Sequence, residues 1–351
     1  MISIHTFELT LDVTSKNFND LLSRAYQKAK KYKHRLGKST KHTENDVRVD
    51  DALASEGITV EYHNNTYRKM VKLLVNPSKV LGGDDLKLWI PNASNVQELL
   101  DRLDDHVEEY FEEDYSLDDF ILSRVEFTAN LPVGKENVPV YIGLLHKIGK
   151  VTGFSPKYSK WDYLTGQVEK KHSFDLEGNT NGIAFTAYDK EADLKQKGKQ
   201  HRAKKAVGVL RLEVRVKKRK TVQKILDGLT KGASLTTEEQ IQVMAANSKH
   251  IFMRYLVGIL PDGDFYKLKQ AELILRTSTI KERRKEKMLQ LLRMVSEKQS
   301  LHLAFRQLNI KEKTKELLRF SKVGVSPITL GKREKVDHLP SLYKYLEVST
   351  G

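Results

Sequence analysis

Hydrophobic and polar residues alternate along several stretches of this chain, a pattern typical of strands with one buried face. The alternation begins at the N-terminus and returns at intervals through the first two thirds of the sequence. The stretches that predict strands are 1–13, 70–81, 121–131, 182–190 and 207–217. The second of them is predicted to turn at Asn76 and Pro77 and to end in a loop at Gly82 and Gly83. Together these segments predict an antiparallel sheet with helices on one side.

Helical spacing of apolar residues marks other regions. In the acidic segment 101–119, Leu103, Val107 and Phe111 recur at helical spacing, which predicts a helix with a solvated acidic face. The run 140–148 is mostly apolar and lies between two predicted strands.

Beyond about Thr221 the pattern becomes helical. The segments 276–298 and 300–320 predict two helices joined near Ser300. They are compatible with a DNA- or partner-binding helix-turn-helix motif and equally with a plain helical bundle on the sheet. The chain is therefore predicted to have an α+β fold with a central antiparallel sheet, flanking helices and a mainly helical C-terminal region. The expected division is into domains 1–220 and 221–351.

Charge suggests what kind of partner the chain binds. The 351 residues include 61 Lys and Arg against 46 Asp and Glu, a net charge of +15. Such an excess favours a polyanion, because cations that neutralise phosphates release counterions. A ribosomal protein, a membrane-surface protein or a basic enzyme without a polymeric substrate would show the same excess.

Composition also excludes several classes of site. The chain has no cysteine, which rules out disulfides, thiolate zinc sites and a cysteine nucleophile. Neither a signal peptide nor an apolar run of about 20 residues is present, so a cytoplasmic location without membrane partners is expected.

The alternation also predicts a chemically rich sheet face. If three of the predicted strands are neighbours, their polar sides meet on the face opposite the core. The residues predicted to share this face are Arg124, Glu126, Thr128, Asn130, Thr186, Tyr188, Lys190, Arg211, Glu213 and Arg215. An ordinary half-solvated sheet would show the same alternation of charges.

Carboxylates and a tyrosine on one face suggest a particular chemistry. Glu126 and Glu213 are hard oxygen ligands suited to Mg²⁺ or Mn²⁺, which bind and polarise phosphates. A tyrosine has an ordinary pKa of about 10 and needs a metal or a cation to become a nucleophile. Lys190 is placed to supply that cation beside Tyr188. Attack of Tyr188 on a DNA phosphodiester would give a 5′-phosphotyrosine and a free 3′-hydroxyl.

Four phrases of the sequence resemble a known family. The phrases are VKLLVNPSKVLGG (71–83), SRVEFTANL (123–131), TAYDKEADL (186–194) and VLRLEVRV (209–216). They are similar, in order and spacing, to signatures of plasmid and phage rolling-circle replication initiators. The nearest groups are the Rep_trans-type replication initiation factors and the phage gene II/X-like proteins. The resemblance spans about 71–217 and is weak in the C-terminal third.

This resemblance implies a sheet of the rolling-circle nickase type and a site-specific DNA nickase and strand transferase. Tyr188 would be the nucleophile, Glu126 and Glu213 the ligands of Mg²⁺ or Mn²⁺, and Lys190 and Arg211 catalytic cations facing the phosphate. The N-terminal domain 1–220 would nick and bind the origin. No His-hydrophobic-His pair occurs among the 11 histidines, so the histidine-pair type of site is excluded.

Basic residues cluster around the predicted nucleophile. The stretch 195–220 contains twelve Lys or Arg and one acid, which suggests a groove that follows a DNA backbone. Its first part, 195–205, is predicted to be a basic hairpin arm that orders on DNA. Aromatic and basic residues also interleave in 153–167, as in surfaces that stack on unpaired bases. The predicted DNA-binding residues are Lys157, Lys160, Trp161, Lys199, Arg202, Lys204, Lys205, Arg215, Lys217, Lys218 and Arg219.

Other side chains have secondary roles in this hypothesis. Tyr158 and Tyr163 are the alternative nucleophiles if Tyr188 belongs to the core. His146 and His172 are candidates for proton transfer, although a lone histidine near a strand is more often structural.

The sequence thus predicts a replication initiator that binds a double-strand origin, with a hairpin or single-stranded nick site. It would leave a 3′-hydroxyl for a host polymerase, with a host helicase and a homodimer as further expected partners. A conjugative relaxase with the same chemistry and a non-catalytic origin-binding protein remain alternatives. A tyrosine recombinase does not fit the spacing of His302 and Arg306, and no P-loop is present.

Overall fold

The centre of the molecule is an antiparallel sheet of ten strands. The computed structural model describes residues 2–38, 46–84, 86, 88–157, 161–162, 167–168 and 172–348. Within these residues the strands are β1 (Ile2–Val13), β2 (Leu36–Lys38), β3 (Asp46–Asp50), β4 (Ile58–Asn64), β5 (Lys69–Val75), β6 (Ile121–Pro132), β7 (Phe154–Pro156), β8 (Trp161–Asp162), β9 (Gln167–Val168), β10 (Ser173–Gly178), β11 (Ile183–Asp189), β12 (Val209–Val216), β13 (Phe265–Tyr266) and β14 (His338–Leu339). The order in the large sheet is β2-β3-β4-β5-β1-β6-β12-β11-β10-β7, and each neighbouring pair is antiparallel.

Fourteen α-helices accompany this sheet in the described residues, and several of them cover its apolar face. They are α1 (Ser15–Tyr32), α2 (Pro77–Val80), α3 (Ala93–Phe111), α4 (Val138–His146), α5 (Lys190–Gln196), α6 (Gln200–Lys205), α7 (Arg219–Thr230), α8 (Thr237–Ala246), α9 (Ser248–Ile259), α10 (Leu268–Thr277), α11 (Glu282–Lys298), α12 (Leu301–Gln307), α13 (Lys313–Val323) and α14 (Leu342–Val348). Among them, α4, α7, α8 and α9 contact the central strands directly. The α+β architecture with a central antiparallel sheet is therefore confirmed.

The core face is the one that the alternation predicts. Along β6, Val125, Phe127 and Ala129 are buried, and Leu212 and Val214 of β12 lie beside them. Burying such side chains in full stabilises the fold by roughly 1.5–3 kcal/mol each. Because successive side chains of a strand point to opposite faces, the same alternation places the polar residues of β6 and β12 on the other side.

Three segments show more detail than the sequence predicts. The strand in 70–81 ends at Val75 and the chain turns at Asn76 and Pro77 as predicted, but 77–80 form α2, which the side chain of Asn76 caps by accepting from the backbone N–H of Lys79. The apolar run 140–148, for which the sequence predicts no element, lies largely in α4, which is buried against β10 and β11. The predicted helix 300–320 is divided into α12 and α13.

The predicted basic hairpin arm at 195–205 is also wrong. This stretch forms the end of α5 and all of α6. Leu194, Ala203 and Ala206 are buried together in a small cluster with Leu86. The segment is thus folded onto the body of the protein without DNA, and its lysines project from short helices.

The C-terminal helices share the core of the sheet. The buried cluster runs without a break from β1 and β6 through α7–α9 to α11–α14. A boundary at residue 220 and a helix-turn-helix among α11–α13 stay predictions. No helix in the described ranges has the length and apolar character needed to cross a bilayer.

Gly263 permits a close backbone crossing in this region. Its φ of +121° lies outside the range of ordinary residues, and an added Cβ would lie 2.6 Å from the backbone nitrogen of Ser326. We expect Gly263→Ala to lower the free energy of unfolding by at least about 3 kcal/mol. Gly258→Ala is the matched control, because nothing lies within 4 Å of that position in α9. It should raise stability by about 0.5–1 kcal/mol, and equal urea midpoints for the two variants would contradict the expectation.

Candidate active site

The three strands predicted to carry the chemistry are neighbours. In the sheet β12 lies between β6 and β11. In the register of the strands, Arg215 lies opposite Glu126 and Arg211 lies opposite Tyr188. Both acids and the tyrosine are therefore on one polar face. The register therefore brings together side chains that are far apart in the sequence.

Tyr188 and the two glutamates form one hydrogen-bonded chain. The Tyr188 hydroxyl donates to Oε1 of Glu213 at 2.6 Å. Glu213 and Glu126 share a further hydrogen bond. Glu126 also accepts from the Thr6 hydroxyl at 3.1 Å and from the Arg124 guanidinium at 3.2 Å. Both carboxyl groups are almost entirely removed from solvent.

Burial and proximity set the charge of this pair. Burial, followed by the charge of Glu126, raises the pKa of Glu213 to about 8. Burial would also raise the pKa of Glu126, but the hydrogen bond from Glu213 and the charges of His5, Arg215 and Arg124 outweigh it and lower that pKa. Near neutral pH the pair therefore holds one proton, on Glu213, and one negative charge, on Glu126.

The tyrosine is not activated in this state. Burial and then the charge of Glu213 raise the pKa of Tyr188 well above its ordinary value, and Arg211 opposes the shift. Lys190 Nζ lies 5.6 Å from the centre of the Tyr188 ring, and it donates to Asp193 at 3.0 Å. Burial, followed by the charge of Arg211, lowers the pKa of Lys190. Lys190 is the first residue of α5, and it lies beside the tyrosine as the sequence predicts.

Arginines surround the acidic pair. Arg211 is fully buried, donates from Nε to Asn130 at 2.7 Å and contacts His5 at 3.4 Å. Arg215 donates to Thr186, which in turn donates to Asp175 at 2.9 Å. These contacts hold the guanidinium groups rigidly against the polar face.

Two residues of this site were missed by the strand analysis. His5 and Thr6 of β1 contact Arg211 and Glu126, respectively. The pairing of β1 with β6 shifts between Ile4 and Thr6, so His5 occupies a bulge. The sequence itself shows this shift, because the apolar residues of the strand change from even positions (Ile2 and Ile4) to odd positions (Phe7, Leu9 and Leu11).

An open cavity of about 1080 Å³ gives access to the site. Most of the residues that line it are polar or charged. Residues on its wall include His5, Thr6, Arg124, Glu126, His172, Asp175, Tyr188, Lys190, Glu213 and Arg215. The tyrosine and both glutamates therefore lie on the wall of this cavity.

The residues present fit a divalent cation. Two carboxyl groups sharing one proton can exchange that proton for a metal ion, which relieves their repulsion. Within the described residues, the Nε atoms of Arg124 and Arg215 and the hydroxyl of Thr128 are buried without a hydrogen-bond partner. These residues belong to the same polar face as Glu126 and Glu213.

A second acidic group lies elsewhere in the fold. Ligand atoms of His34, Asp50 and Asp51 are all within 4.8 Å of one another. Asp50 already accepts from the Tyr110 hydroxyl at 2.6 Å and from the backbone of Ala52, and it contacts His34 at 3.1 Å. These bonds satisfy the buried carboxylate of Asp50. Its role is therefore structural, because it links β3 to α3.

Most of the predicted DNA-binding cations line the sheet and α6. Lys199 and Arg202 border a shallow groove with Lys79, and Lys204 and Lys205 are exposed at the end of α6. Lys217 pairs with Glu177 at 2.7 Å, Lys157 lies 3.9 Å from the same acid, Arg219 pairs with Asp12, and Lys218 donates to the backbone of Thr180. These cations thus lie on several sides of the sheet, and their role in DNA binding stays a prediction.

Some predicted residues are placed differently or not described. His146 contacts the backbone oxygen of Ser173 at 2.9 Å and the ring of Phe174, which is a structural environment. His172 is exposed on the cavity wall. Lys160, Tyr158 and Tyr163 lie outside the described residues, and Trp161 is described only as part of strand β8.

Comparisons with known proteins add little to this geometry. No family model matches the chain, and no curated protein matches its sequence. Among solved structures, a rolling circle replication initiator protein from Geobacillus stearothermophilus is similar. It is 11% identical, with 74% of this chain and 84% of that chain covered and a TM-score of 0.36. A TM-score below 0.5 at this identity establishes neither ancestry nor function.

Proposed function

We propose that this chain is a DNA nickase that initiates rolling-circle replication by tyrosine transesterification. The observation that carries the proposal is the chain of hydrogen bonds from Tyr188 through Glu213 to Glu126 at the wall of an open cavity. The motif resemblance and the net charge of +15 support the same chemistry.

The buried carboxyl pair supplies a base for the tyrosine. Glu213 in its ionised form is positioned to accept the proton of the Tyr188 hydroxyl, to which it is already hydrogen-bonded. The phenolate oxygen then attacks phosphorus, forming the tyrosine–phosphate bond while the bond to the 3′-oxygen breaks. The 3′-oxygen takes up the proton that Glu213 accepted, directly or through water, and leaves as a hydroxyl. Because one phosphodiester replaces another, the reverse reaction rejoins the strand.

Charge on the scissile phosphate would be balanced by the surrounding cations. Arg124 and Arg215 line the cavity beside Glu126. Arg211 opposes the rise in the pKa of Tyr188 and so favours phenolate. Guanidinium groups suit this task because they remain charged and bind two oxygens at once.

Glu126 and Glu213 would hold Mg²⁺ or Mn²⁺. When bound, the cation would polarise the phosphate and keep Glu213 ionised. The charge of His5 helps to lower the pKa of Glu126 and so favours the ionised carboxylate.

Nicking of a supercoiled plasmid that carries the cognate origin tests the proposal. With Mn²⁺ we expect open circles and a protein–DNA adduct that survives denaturation, and with a chelator we expect neither. A protein that binds the origin but leaves it supercoiled would instead be a non-catalytic origin-binding protein, which would refute the proposal.

A further inference from the structure

A second group of cations lies outside the cavity, where the C-terminal helices meet the β7 edge of the sheet. The group consists of Lys150, Arg306, Lys311, Lys313 and Lys315 and is called the C-terminal basic cluster. Lys150 precedes β7, whereas the other members belong to α12, α13 and the loop between them. Residues of 221–351 carry 24 Lys and Arg against 14 Asp and Glu, so this region supplies +10 of the net +15.

The backbone holds the two parts of the cluster together. The backbone N–H of Leu301 donates to the carbonyl of Lys147 at 2.7 Å, and that of His302 donates to Ile148 at 3.3 Å. Gly149, with φ of +69°, lets this loop approach α12, since a Cβ there would lie 3.0 Å from the Ser300 hydroxyl oxygen. The cluster is therefore built into the fold before any partner binds.

The cations are close enough to act on one another. Burial lowers the pKa of His302, and the charges of Lys313, Arg306 and Lys150 lower it further. An open groove of about 420 Å³ is lined by Thr152 and by residues 311–315. The mutual repulsion of these cations is a cost that an anionic partner would remove.

Acids compensate little of this charge. Glu312 pairs with Lys315 at 3.1 Å, and Glu316 pairs with Arg319. Within the described chain, Lys150, Arg306 and Lys311 are exposed and have no acidic partner within ion-pair distance. Three or four positive charges are thus available to a ligand at this edge.

The position of the cluster relative to Tyr188 indicates what that ligand is. Tyr188 pairs with Ser173 at one end of β10, and Phe154 of β7 pairs with Gly178 at the other end. Tyr188 and Phe154 are therefore separated by two spacings between strands, of about 4.8 Å each, and by about five residues along the strand, at about 3.3 Å each. Allowing for the loop and side chains, the cluster lies roughly 20–30 Å from the tyrosine, which is about six to nine base pairs of duplex at 3.4 Å each.

We propose that the C-terminal basic cluster binds the phosphate backbone of duplex DNA flanking the nick site. This inference rests on the proposed function for the location of the nick, but its phosphate contacts do not depend on catalysis. Such contacts carry no sequence information and would fix the position of the duplex while Tyr188 acts on one strand.

Charge reversal tests the site with a 30-base-pair duplex of arbitrary sequence as probe. Lys311→Glu combined with Lys313→Glu should weaken binding at least about tenfold at 100 mM salt and reduce the salt slope by about 2. Because Lys313 also lies 6.0 Å from the Phe305 ring, Lys150→Glu with Lys311→Glu provides a second variant without that contact. Lys224→Glu with Lys249→Glu is the control of equal charge, on α7 and α9 over the apolar face.

The outcomes separate this inference from the proposed function. If both cluster variants bind the duplex as the control does, the inference is wrong. If they lose binding to a polyglutamate peptide instead, the surface binds an acidic protein, which also overturns it. Wild-type protein that fails to nick the origin, while its duplex binding still depends on the cluster, would remove the proposed function and leave this site standing.

Discussion

We expect Tyr188→Phe to form no covalent adduct with DNA and to nick the origin at least about 10³-fold more slowly than the wild type. The substitution removes only the hydroxyl, which donates to Glu213 at 2.6 Å, and leaves a ring of the same shape against Lys190. Folding should be preserved, because Tyr188 is half-buried at the cavity wall. Binding to the origin should be unchanged within about threefold.

The adduct is measured by denaturing electrophoresis after incubation with labelled DNA and Mn²⁺. Tyr67→Phe is a matched control, since that side chain is 98% exposed and is not part of the cavity wall. Tyr158→Phe and Tyr163→Phe test the two alternative nucleophiles directly. An adduct that persists in Tyr188→Phe and disappears in either of these would refute the assignment.

The residues of the polar sheet face could be predicted from the sequence, because side chains alternate between the two faces of a strand with a period of two residues. The alternation along β6, β11 and β12 places Glu126, Tyr188 and Glu213 opposite the core without knowledge of the fold. What the alternation cannot give is the order of strands. Only the pairing of β12 with both neighbours shows that the carboxyl groups meet.

Residues of β1 escaped prediction because a bulge interrupts the alternation. A single extra residue at His5 reverses which positions face the core, so His5 and Thr6 point into the site while Phe7 and Leu9 return to the core. The N-terminal strand lies at the centre of the sheet, between β5 and β6, although it is first in the sequence. Local patterns carry no information about such long-range placement.

Charge and hydrophobicity without a clear period say little about which element a segment forms. The run 140–148 is too short and too apolar to show a helical or strand period, and burial against β10 and β11 determines its helical form. In 195–205 the lysines suggested a basic hairpin arm that orders on DNA. The structure instead has two short helices, α5 and α6, joined by a small buried cluster of Leu194, Ala203 and Ala206 with Leu86.

The second large effect concerns the carboxyl pair and the proton it shares. We expect Glu213→Gln and Glu126→Gln each to lower nicking at least about 10²-fold, because each removes an anionic oxygen needed to bind metal. Glu213→Gln should also abolish any role of that side chain as the base for Tyr188. Glu109→Gln, an exposed position of α3, should retain wild-type nicking.

Stability against pH distinguishes this pair from an ordinary acidic surface. Glu213 has a pKa of about 8 in the folded protein and about 4.5 when unfolded, so between these values the folded state binds a proton that the unfolded state has lost. The stabilising contribution of that proton is present below about pH 4.5 and is lost as pH rises towards 8. Relative to Glu213→Gln, the wild type should lose roughly 2–4 kcal/mol of unfolding free energy between pH 5 and pH 8, at about 1.36 kcal/mol per pKa unit.

A divalent cation should reverse that loss. If Mn²⁺ replaces the shared proton, its binding below pH 8 releases about one proton, and its affinity rises about tenfold per pH unit until that value is reached. Calorimetry in two buffers of different ionisation enthalpy measures the released proton, and thermal melts from pH 5 to pH 9 measure the stability. At 100 times its dissociation constant, Mn²⁺ should add about 2.7 kcal/mol to the wild type and much less to Glu213→Gln. Equal Mn²⁺ stabilisation in both proteins would place the metal elsewhere, and the group at His34 and Asp50 would then become the candidate to test.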